Sequence, residues 1–258
     1  MVKQSGKGAG GGKQRGFGTQ GGSRMAGRGL TTRVKTAKGR KGSSTQWLKR
    51  QLNDPYVVEA NRLGYRSRAA FKIIEMDEKF KFLKPGARIV DLGAAPGGWT
   101  QVCVDKINAL GTEPGKKGAI VGIDVQEMEE VQGATIIIRD FLDPEAPDLL
   151  KEALNGKADI VLSDMAAPSS GHSATDHLKI IGLLEVALEF AGQVLEQEGT
   201  FIGKVLQGGT EDSILKQLKR DFKSVKHVKP PSSRSDSAEM YVVAQGFRGG
   251  ESVPEDSG

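Results

Sequence analysis

The fold is indicated by one stretch, Arg88-Ile-Val-Asp-Leu-Gly-Ala-Ala-Pro-Gly-Gly-Trp-Thr (residues 88–100), in which an apolar run passes through a glycine-rich turn into a helix-like segment. In doubly wound α/β proteins, a turn of this kind binds nucleotides. The glycines are not spaced as G-x-G-x-x-G, and Pro96 removes a backbone N–H from a loop that would need donors to hold a pyrophosphate. The chain also has no G-x-x-x-x-G-K-[ST] phosphate loop. The stretch therefore favours a nucleoside ligand without phosphate.

Around this stretch, short β-rich runs alternate with amphipathic helical segments. Strands are predicted at residues 88–91, 119–124, 134–138, 160–163, 200–205, 224–229 and 240–244, and helices at 47–52, 56–60, 67–82, from 98, 144–155, 175–195 and 211–222. The alternation predicts an α/β fold with a doubly wound, mostly parallel seven-stranded sheet. No helix separates the last two strands, so the last strand is expected to be antiparallel. Ser67 is the predicted N-cap of the helix that stops before Pro85.

Charge is distributed unevenly along the chain. Residues 1–50 contain thirteen of the thirty-seven Lys and Arg and none of the thirty-two Asp and Glu, so the rest of the chain has an excess of eight acidic residues. We predict a basic Gly/Lys/Arg-rich tail at 1–44, a catalytic domain at 45–248 and an acidic flexible C-terminus at 249–258. The tail has few apolar residues to offset its ordering entropy and is expected to be disordered in isolation. It suits a polyanion, nucleic acid first, with a solubilising or presequence-like extension as the alternative.

Several classes of protein are disfavoured. No run approaches the roughly eighteen apolar residues of a membrane span, and no apolar signal-peptide core follows Met1, so a cytoplasmic protein without membrane contact is expected. The lone Cys103 excludes an internal disulfide and fits a helix core position. The three histidines lack ligand spacing, and the sequence predicts no metal site.

Four charged residues are joined to apolar segments, where aliphatic residues would be expected: Lys72, Asp164, Lys204 and Glu239. Asp164 ends strand four and Lys204 lies near the end of strand five, so both fall at the carboxyl edge of a parallel sheet. An antiparallel last strand begins at that edge with Glu239, and Lys72 can join from the preceding helix. We therefore predict one polar site, the alternative being two incidental salt bridges.

Two further aspartates follow strands. Asp124 ends strand two, where a carboxylate can accept hydrogen bonds from ribose hydroxyls. Asp140 follows strand three and is a candidate acceptor for an adenine amino group. The alternative is that these aspartates cap helices and that the glycines only form a tight turn.

From about Ser44 to Phe247 the chain resembles the FtsJ/RrmJ (RlmE) family of ribosomal RNA 2′-O-methyltransferases. The motifs that carry the resemblance are Asp91-Leu-Gly-Ala-Ala-Pro-Gly-Gly-Trp, Ser163-Asp-Met-Ala, Gly203-Lys-Val-Leu-Gln-Gly, Ser67-Arg-Ala-Ala-Phe-Lys and Pro231-Ser-Ser-Arg with Glu239 and Tyr241. The resemblance implies a Rossmann-like enzyme that transfers a methyl group from S-adenosylmethionine to the ribose 2′-hydroxyl of a uridine in large-subunit (23S) ribosomal RNA.

The resemblance also implies residue roles. A catalytic tetrad falls on Lys72, Asp164, Lys204 and Glu239, with Lys204 as the principal residue and proton acceptor. Cofactor binding falls on Gly93, Gly97, Trp99, Asp124, Asp140 and Asp164. The sequence leaves open whether Lys204 acts as a neutral base or as a cation that stabilises a developing alkoxide.

The chain departs from the family pattern in two places. The basic tail lies outside the resemblance, and Ala166-Ala-Pro-Ser-Ser-Gly stands where Ala-Pro-Asn usually follows Ser-Asp-Met. The second change puts details of the substrate loop in doubt more than the reaction.

RNA contacts are predicted near the tetrad. The loop between strands six and seven carries Lys229 and Arg234, which can hold RNA phosphate, and Arg62, Arg66 and Arg68 can extend that track. A solvated helical face is the alternative for these arginines. The expected partner is ribosomal RNA within the large subunit, bound by a monomer. Methylation of another RNA (transfer RNA, a cap or organellar ribosomal RNA) and a non-catalytic role in ribosome assembly stay open as alternatives.

Overall fold

A computed structural model describes residues 48–168, 170–207 and 212–249 of the chain. Within these residues the strands are β1 (Arg88–Leu92), β2 (Ala119–Asp124), β3 (Thr135–Ile138), β4 (Ala158–Ser163), β5 (Leu195–Leu206), β6 (Phe222–Val228) and β7 (Glu239–Phe247). The helices are α1 (Pro55–Leu63), α2 (Ala70–Phe80), α3 (Gly98–Lys106), α4 (Ala146–Leu154), α5 (Ser173–Val194) and α6 (Asp212–Asp221), and residues 48–52 are also helical.

The strands form one sheet in the order β3-β2-β1-β4-β5-β7-β6. β1 pairs in parallel with β2 and β4, and the pairs β2–β3 and β4–β5 are parallel as well. β7 is antiparallel to both of its neighbours, β5 and β6. The predicted doubly wound, mostly parallel sheet with an antiparallel last strand is therefore confirmed. The chain reverses direction across the sheet between β1 and β4, and the crevice beyond their carboxyl ends is the expected ligand position in such a sheet.

Both faces of the sheet are buried, as parallel sheets require. In β1, Val90 and Leu92 face a core that contains Leu150 of α4 and Leu188 of α5. Ile89 faces the opposite core, which α2 and α3 complete with residues such as Trp99 and Cys103. The predicted core position of Cys103 is confirmed, and burial raises the pKa of its thiol well above the ordinary value.

The predicted N-cap of the second helix is wrong. α2 begins at Ala70, its N-cap position is Ala69, and no side chain caps it. Ser67 lies in the preceding turn, where its carbonyl oxygen accepts from Ala70 N, and within the described part of the chain its buried Oγ has no hydrogen-bond partner. The side chain instead packs on the glycine-rich loop, because a Cβ on Gly98 would lie 2.6 Å from Ser67 Oγ. The helix also ends at Phe80, since Lys81 adopts a left-handed backbone with φ of 55°.

Two predicted segments fall mostly beyond this part of the chain. The basic tail at 1–44 lies outside the described residues, as does the acidic segment at 249–258 after its first residue. Among the helices that are described, none is long and apolar enough to cross a membrane.

Candidate active site

The glycine-rich loop leaves β1 in a conformation that needs glycine at two positions. Gly93 has φ of 81° and Gly97 has φ of 104°, in the region that other residues rarely adopt. A Cβ on Gly93 would lie 2.9 Å from the backbone nitrogen of Met165, so the loop and the exit of β4 approach each other closely. The peptide bond between Ala95 and Pro96 is cis. The loop therefore forms one wall of the crevice between β1 and β4.

A cavity of about 540 Å³ opens at this crevice. Gly93, Asp124, Asp140 and Met165 line it, together with α5 residues such as Leu183. Its volume lies within the range of roughly 300–1,000 Å³ that is usual for small-molecule sites. The structure thus brings three of the predicted cofactor residues to one cavity.

The two aspartates of the cavity also hold its loops. Asp124 Oδ2 accepts from the backbone nitrogen of Ala95 at 2.9 Å, and its Oδ1 accepts from Gln126 N at 2.9 Å. Asp140 Oδ1 accepts from Leu142 N at 3.0 Å. Each carboxylate oxygen has two lone pairs, so these bonds leave capacity for a hydroxyl or an amino group. The alternative that these aspartates cap helices is not what these bonds show, because Ala95, Gln126 and Leu142 lie in loops.

Trp99 lies beneath the loop rather than in the cavity wall. Its side chain is 3% exposed, and Nε1 donates to the carbonyl oxygen of Ala69 at 2.9 Å. Its ring centroid is 5.5 Å from that of Tyr241. The indole therefore supports the loop from the core and links it to β7, and a cofactor contact at Trp99 would have to come from its backbone.

The predicted tetrad forms one connected cluster. Lys204 Nζ lies 2.9 Å from Asp164 Oδ1 and donates to the Asp164 carbonyl oxygen at 2.8 Å. Lys72 Nζ lies 2.6 Å from Glu239 Oε1. Tyr241 joins the two pairs, because its hydroxyl donates to Asp164 Oδ1 at 2.7 Å and accepts from Lys72 Nζ at 3.1 Å. The four charged residues therefore share one polar site, as the sequence predicts.

The sheet register produces this cluster. Lys204 of β5 is the antiparallel partner of Tyr241 of β7, and Leu206 is the partner of Glu239. Glu239 and Tyr241 are two residues apart and share one face of β7. Tyr241 was not among the predicted site residues, although the two-residue period of the strand places it on the same face as Glu239.

Charge in the cluster fixes two protonation states. Burial opposes ionisation of Asp164, but Lys204, Lys72 and the hydrogen bond from Tyr241 outweigh it and lower the pKa of the carboxyl. The pKa of Tyr241 is raised well above its ordinary value by burial, and further by the charges of Asp164 and Glu239. Asp164 is therefore an ionised acceptor, and Tyr241 is a neutral donor.

A third carboxyl lies deeper in the site. Asp91 of β1 is fully buried and accepts a hydrogen bond from Thr100 Oγ1 at 2.7 Å, and its Oδ1 has no partner among the described residues. Burial raises its pKa to about 7, and the nearby charges of Asp164 and Asp124 add to the increase. Sequence reasoning did not single out Asp91 as a perturbed carboxyl, because it treated the residue only as part of the loop motif.

The predicted RNA-contacting residues are distributed over three places. Arg68 and Arg234 meet at Asp54: Arg68 also donates to the carbonyl oxygen of Ser232, and Arg234 Nη2 lies 3.4 Å from Asp54 Oδ2. Lys229 Nζ donates to the Ser237 carbonyl oxygen at 2.6 Å, within the loop between β6 and β7.

The other two predicted contacts lie apart from that loop. Arg62 is on the exposed side of α1, where its Nη2 lies 2.6 Å from Glu59 Oε1. Arg66 lies against the glycine-rich loop, with a guanidinium hydrogen bond to the Pro96 carbonyl oxygen. The structure thus brings two of the five arginines and lysines together at Asp54, and none of the sequence patterns had selected that carboxylate.

The sheet order, the crevice at the change of strand direction and the adjoining lysine–carboxylate cluster define a Rossmann-like methyltransferase. A family model described as FtsJ-like methyltransferase matches residues 65–247, and the chain belongs to this family.

Individual relatives agree with this membership. The chain is 63% identical over 238 residues to the ribosomal RNA large subunit methyltransferase E of Paramagnetospirillum magneticum, with 92% of this chain and 95% of that protein covered. A protein of the same name from Parvibaculum lavamentivorans is 58% identical, with 89% and 91% covered. A crystal structure of a provisionally assigned ribosomal RNA methyltransferase from Plasmodium falciparum has a TM-score of 0.63 and 33% identity, and the match covers 72% of this chain and all of that one.

Proposed function

We propose that this methyltransferase transfers a methyl group from S-adenosylmethionine to the ribose 2′-hydroxyl of a uridine in large-subunit (23S) ribosomal RNA. The substrate class is supported by the relatives named ribosomal RNA large subunit methyltransferase E. The observation that carries the reaction type is the Lys204–Asp164 ion pair at the exit of β4, next to Met165 in the cavity wall. A lysine ammonium and an ionised carboxylate beside a nucleoside-sized cavity suit methylation of a weak oxygen nucleophile.

The hydrogen-bond acceptors that line the cavity fit S-adenosylmethionine. Asp124 would accept from the ribose hydroxyls and Asp140 from the adenine amino group, while Phe141 and Leu142 offer apolar surface. When bound, S-adenosylmethionine would supply an activated methyl group, and the product that remains after methyl loss would be a neutral sulfide.

The residues of the tetrad act on the hydroxyl and its proton. A ribose 2′-hydroxyl is a weak nucleophile, so transfer needs alignment with the methyl group and help with the proton. As the methyl group passes from sulfur to the 2′-oxygen, the hydroxyl proton would need an acceptor. Lys204, which Asp164 holds in place, would accept that proton as the neutral amine, or as the ammonium it would stabilise the developing alkoxide while the proton passes to water. Tyr241 donates to Asp164 from the other side, and Lys72, which pairs with Glu239, donates to the Tyr241 hydroxyl.

The RNA strand is proposed to enter along the loop between β6 and β7. A groove of about 770 Å³ lies beside this loop, and its lining includes Lys49, Arg50, Tyr56, Arg68 and Arg234. Ser233 Oγ lies 3.3 Å from Glu239 Oε1 and joins the loop to the tetrad. Cations along such a groove would hold phosphates, and an aromatic ring offers a surface for a base. A cytoplasmic monomer that acts on the large subunit completes the proposal.

The test is single-turnover methyl transfer to large-subunit ribosomal RNA, both free and in the assembled subunit, by Lys204→Ala. We expect a loss of at least a hundredfold in rate with cofactor affinity within a few-fold of the unmodified protein, because general acid–base and oxyanion contributions are of that size. Lys223→Ala is the matched control, since Lys223 is an exposed strand lysine paired with Glu198. Retention of more than a tenth of the rate would remove Lys204 from the reaction.

The identity of the methylated nucleotide needs a separate measurement. Mapping of 2′-O-methyl positions in ribosomal RNA from cells with and without the protein should show one uridine ribose that loses its methyl group. A change confined to transfer RNA would overturn the proposed substrate. Unchanged methylation together with defective subunit assembly would indicate a non-catalytic role.

A further inference from the structure

Arg66 joins two loops that come from different parts of the chain. Its Nη1 donates to the carbonyl oxygen of Glu129 at 2.6 Å and to that of Pro96 at 3.3 Å. Its Nη2 donates to the carbonyl oxygen of Glu130 at 2.7 Å. All three acceptors are backbone oxygens in segments without regular structure. One guanidinium therefore bridges the glycine-rich loop and the segment that follows β2.

The base of this bridge is itself fixed to α3. The backbone nitrogen of Arg66 donates to Gln101 Oε1 at 2.9 Å, and Gln101 Nε2 donates to the Gly64 carbonyl oxygen at 3.0 Å. The side chain also packs on the loop backbone, because a Cβ on Gly97 would lie 2.9 Å from Arg66 Nη1 and 3.2 Å from Met128 Cε. Arg66 is thus held at its backbone nitrogen as well as at its guanidinium.

The two bridged segments carry the cofactor residues of the proposed function. One contains Gly93 and Gly97, and the other begins directly after Asp124. The bond from Ala95 N to Asp124 Oδ2 already ties them at 2.9 Å near the cavity. The backbone nitrogens of Gly93 and Ala94 add bonds to the carbonyl oxygen of Ile123 at the same end. Arg66 supplies a tie at the other end, farther out along the same two segments. It therefore holds the outer parts of the segments, which the bonds near the cavity do not reach.

We propose that Arg66 is a positioning residue for the cofactor pocket, and that it acts by holding these two loops rather than by contacting RNA phosphate. The inference rests on the proposed use of S-adenosylmethionine, and it assigns Arg66 a different role from the RNA contact that the sequence suggested. The carbonyl oxygens of Glu129, Pro96 and Glu130 take three of the five guanidinium N–H donors and hold the side chain against the two loops. The planar fork of arginine reaches both segments at once, which a lysine ammonium does not.

The test separates cofactor binding from RNA binding in three full-length variants, Arg66→Ala, Arg66→Lys and Arg220→Ala. Arg220 is the control, because it is an exposed helix arginine that pairs with the adjacent Asp221. Both residues are far from Arg66 in the sequence. Calorimetry with S-adenosylmethionine alone should show at least tenfold weaker binding for both Arg66 variants and unchanged binding for Arg220→Ala. RNA affinity and its salt dependence should be the same in all three.

A second readout reports on the loops directly. Hydrogen exchange in residues 94–98 and 125–131 should be faster in Arg66→Ala, while β1 and β4 keep the protection of the unmodified protein. A variant that loses protection throughout is misfolded, and Arg66→Lys then decides the question through its cofactor affinity.

Two results would overturn the inference. Unchanged cofactor affinity in Arg66→Lys would show that the guanidinium does not position the cofactor pocket. A salt slope of RNA binding that flattens by about 0.7 to 0.9 with intact cofactor binding in Arg66→Ala would make Arg66 a phosphate contact. If the unmodified protein itself does not bind S-adenosylmethionine, the proposed function fails and this inference fails with it. The first outcome leaves the proposed function standing, so the two failures are distinguishable.

Discussion

At the scale of single residues, the site contains charged residues that could be predicted from the sequence and a tyrosine, Tyr241, that could not. Lys204 and Asp164 were predictable because a charge in an apolar strand needs a partner. Tyr241 was not, because a tyrosine in an apolar strand is also what a sheet core contains. Tyr241 is both a core residue and a site residue, since it is fully buried and its hydroxyl still reaches Asp164 and Lys72.

Tyr241→Phe should separate these two contributions. The ring and its packing on Trp99 remain, whereas Asp164 loses a donor and Lys72 loses an acceptor. We expect the free energy of unfolding to fall by about 1–2 kcal/mol, the usual effect of losing buried hydrogen bonds, and the single-turnover rate to fall with cofactor affinity unchanged. Denaturant unfolding and rapid-quench kinetics measure the two effects. An unaltered rate would mean that Tyr241 is only a core residue.

Asp91 makes stability depend on pH. In the folded protein burial raises the pKa of Asp91 from its ordinary value of 3.8 to about 7, so Asp91 keeps its proton over a range in which the unfolded chain releases it. Between these values the folded state binds more protons, so the free energy of unfolding should decrease as the pH rises from about 4 to about 7. Asp91→Asn should remove this decrease, which unfolding curves at pH 5 and pH 8 would measure. Parallel pH dependence in both proteins would contradict the assignment.

At the scale of elements, polar side chains attach the loop between β6 and β7 to the helices beside it. Asp54 Oδ1 caps α1 through Tyr56 N at 3.1 Å, and Oδ2 of the same carboxylate pairs with Arg68 and Arg234. Glu75 of α2 accepts from the backbone nitrogen of Ser232 at 2.8 Å and from its Oγ at 2.7 Å. The loop is therefore held from two helices before any RNA binds.

Asp54→Ala and Asp54→Asn should differ in an informative way. Asn retains the N-cap, so it removes only the charge that pairs with Arg234 and with Arg68, whose side chain is 16% exposed. We expect Asp54→Asn to lose about 1–3 kcal/mol of unfolding free energy through the broken ion pair, and Asp54→Ala to lose about 1 kcal/mol more through the cap. Thermal or denaturant unfolding measures both. Equal losses would assign the whole effect to the ion pair.

The order and type of the elements were predictable, whereas several boundaries were not. Periods of hydrophobic residues identified every strand of the sheet, because buried parallel strands have continuous apolar runs. β5 is longer than predicted, since it begins at Leu195 directly after α5 and contains Glu196 and Glu198, which a strand signal does not include. Ser67 matched the N-cap pattern, yet its contact with Gly98 comes from another part of the chain. Contacts of that kind are invisible to local patterns.

At the scale of the whole molecule, charge and catalysis are separated along the chain. Residues 1–44 contain eleven Lys and Arg and no acidic residue, whereas residues 51–258 have an excess of eight acidic residues. The family match begins at residue 65, and the sheet, the cavity and the tetrad all come from residues beyond the tail. A net-acidic catalytic domain gains little from long-range attraction to a polyanion, so we assign that attraction to the tail.

Deletion of residues 1–44 should therefore leave a folded, chemically competent enzyme that binds RNA less tightly. With saturating RNA and cofactor, the single-turnover rate should match that of the full chain, because no tetrad or cavity residue is removed. If three or four tail cations contact phosphates, the slope of log affinity against log salt should flatten by about 0.7 to 0.9 for each lost contact. A salt titration of RNA affinity for both proteins makes the measurement. Equal slopes would show that the tail does not contribute to RNA binding. Loss of cooperative unfolding in the shortened protein would show that the tail belongs to the folded domain.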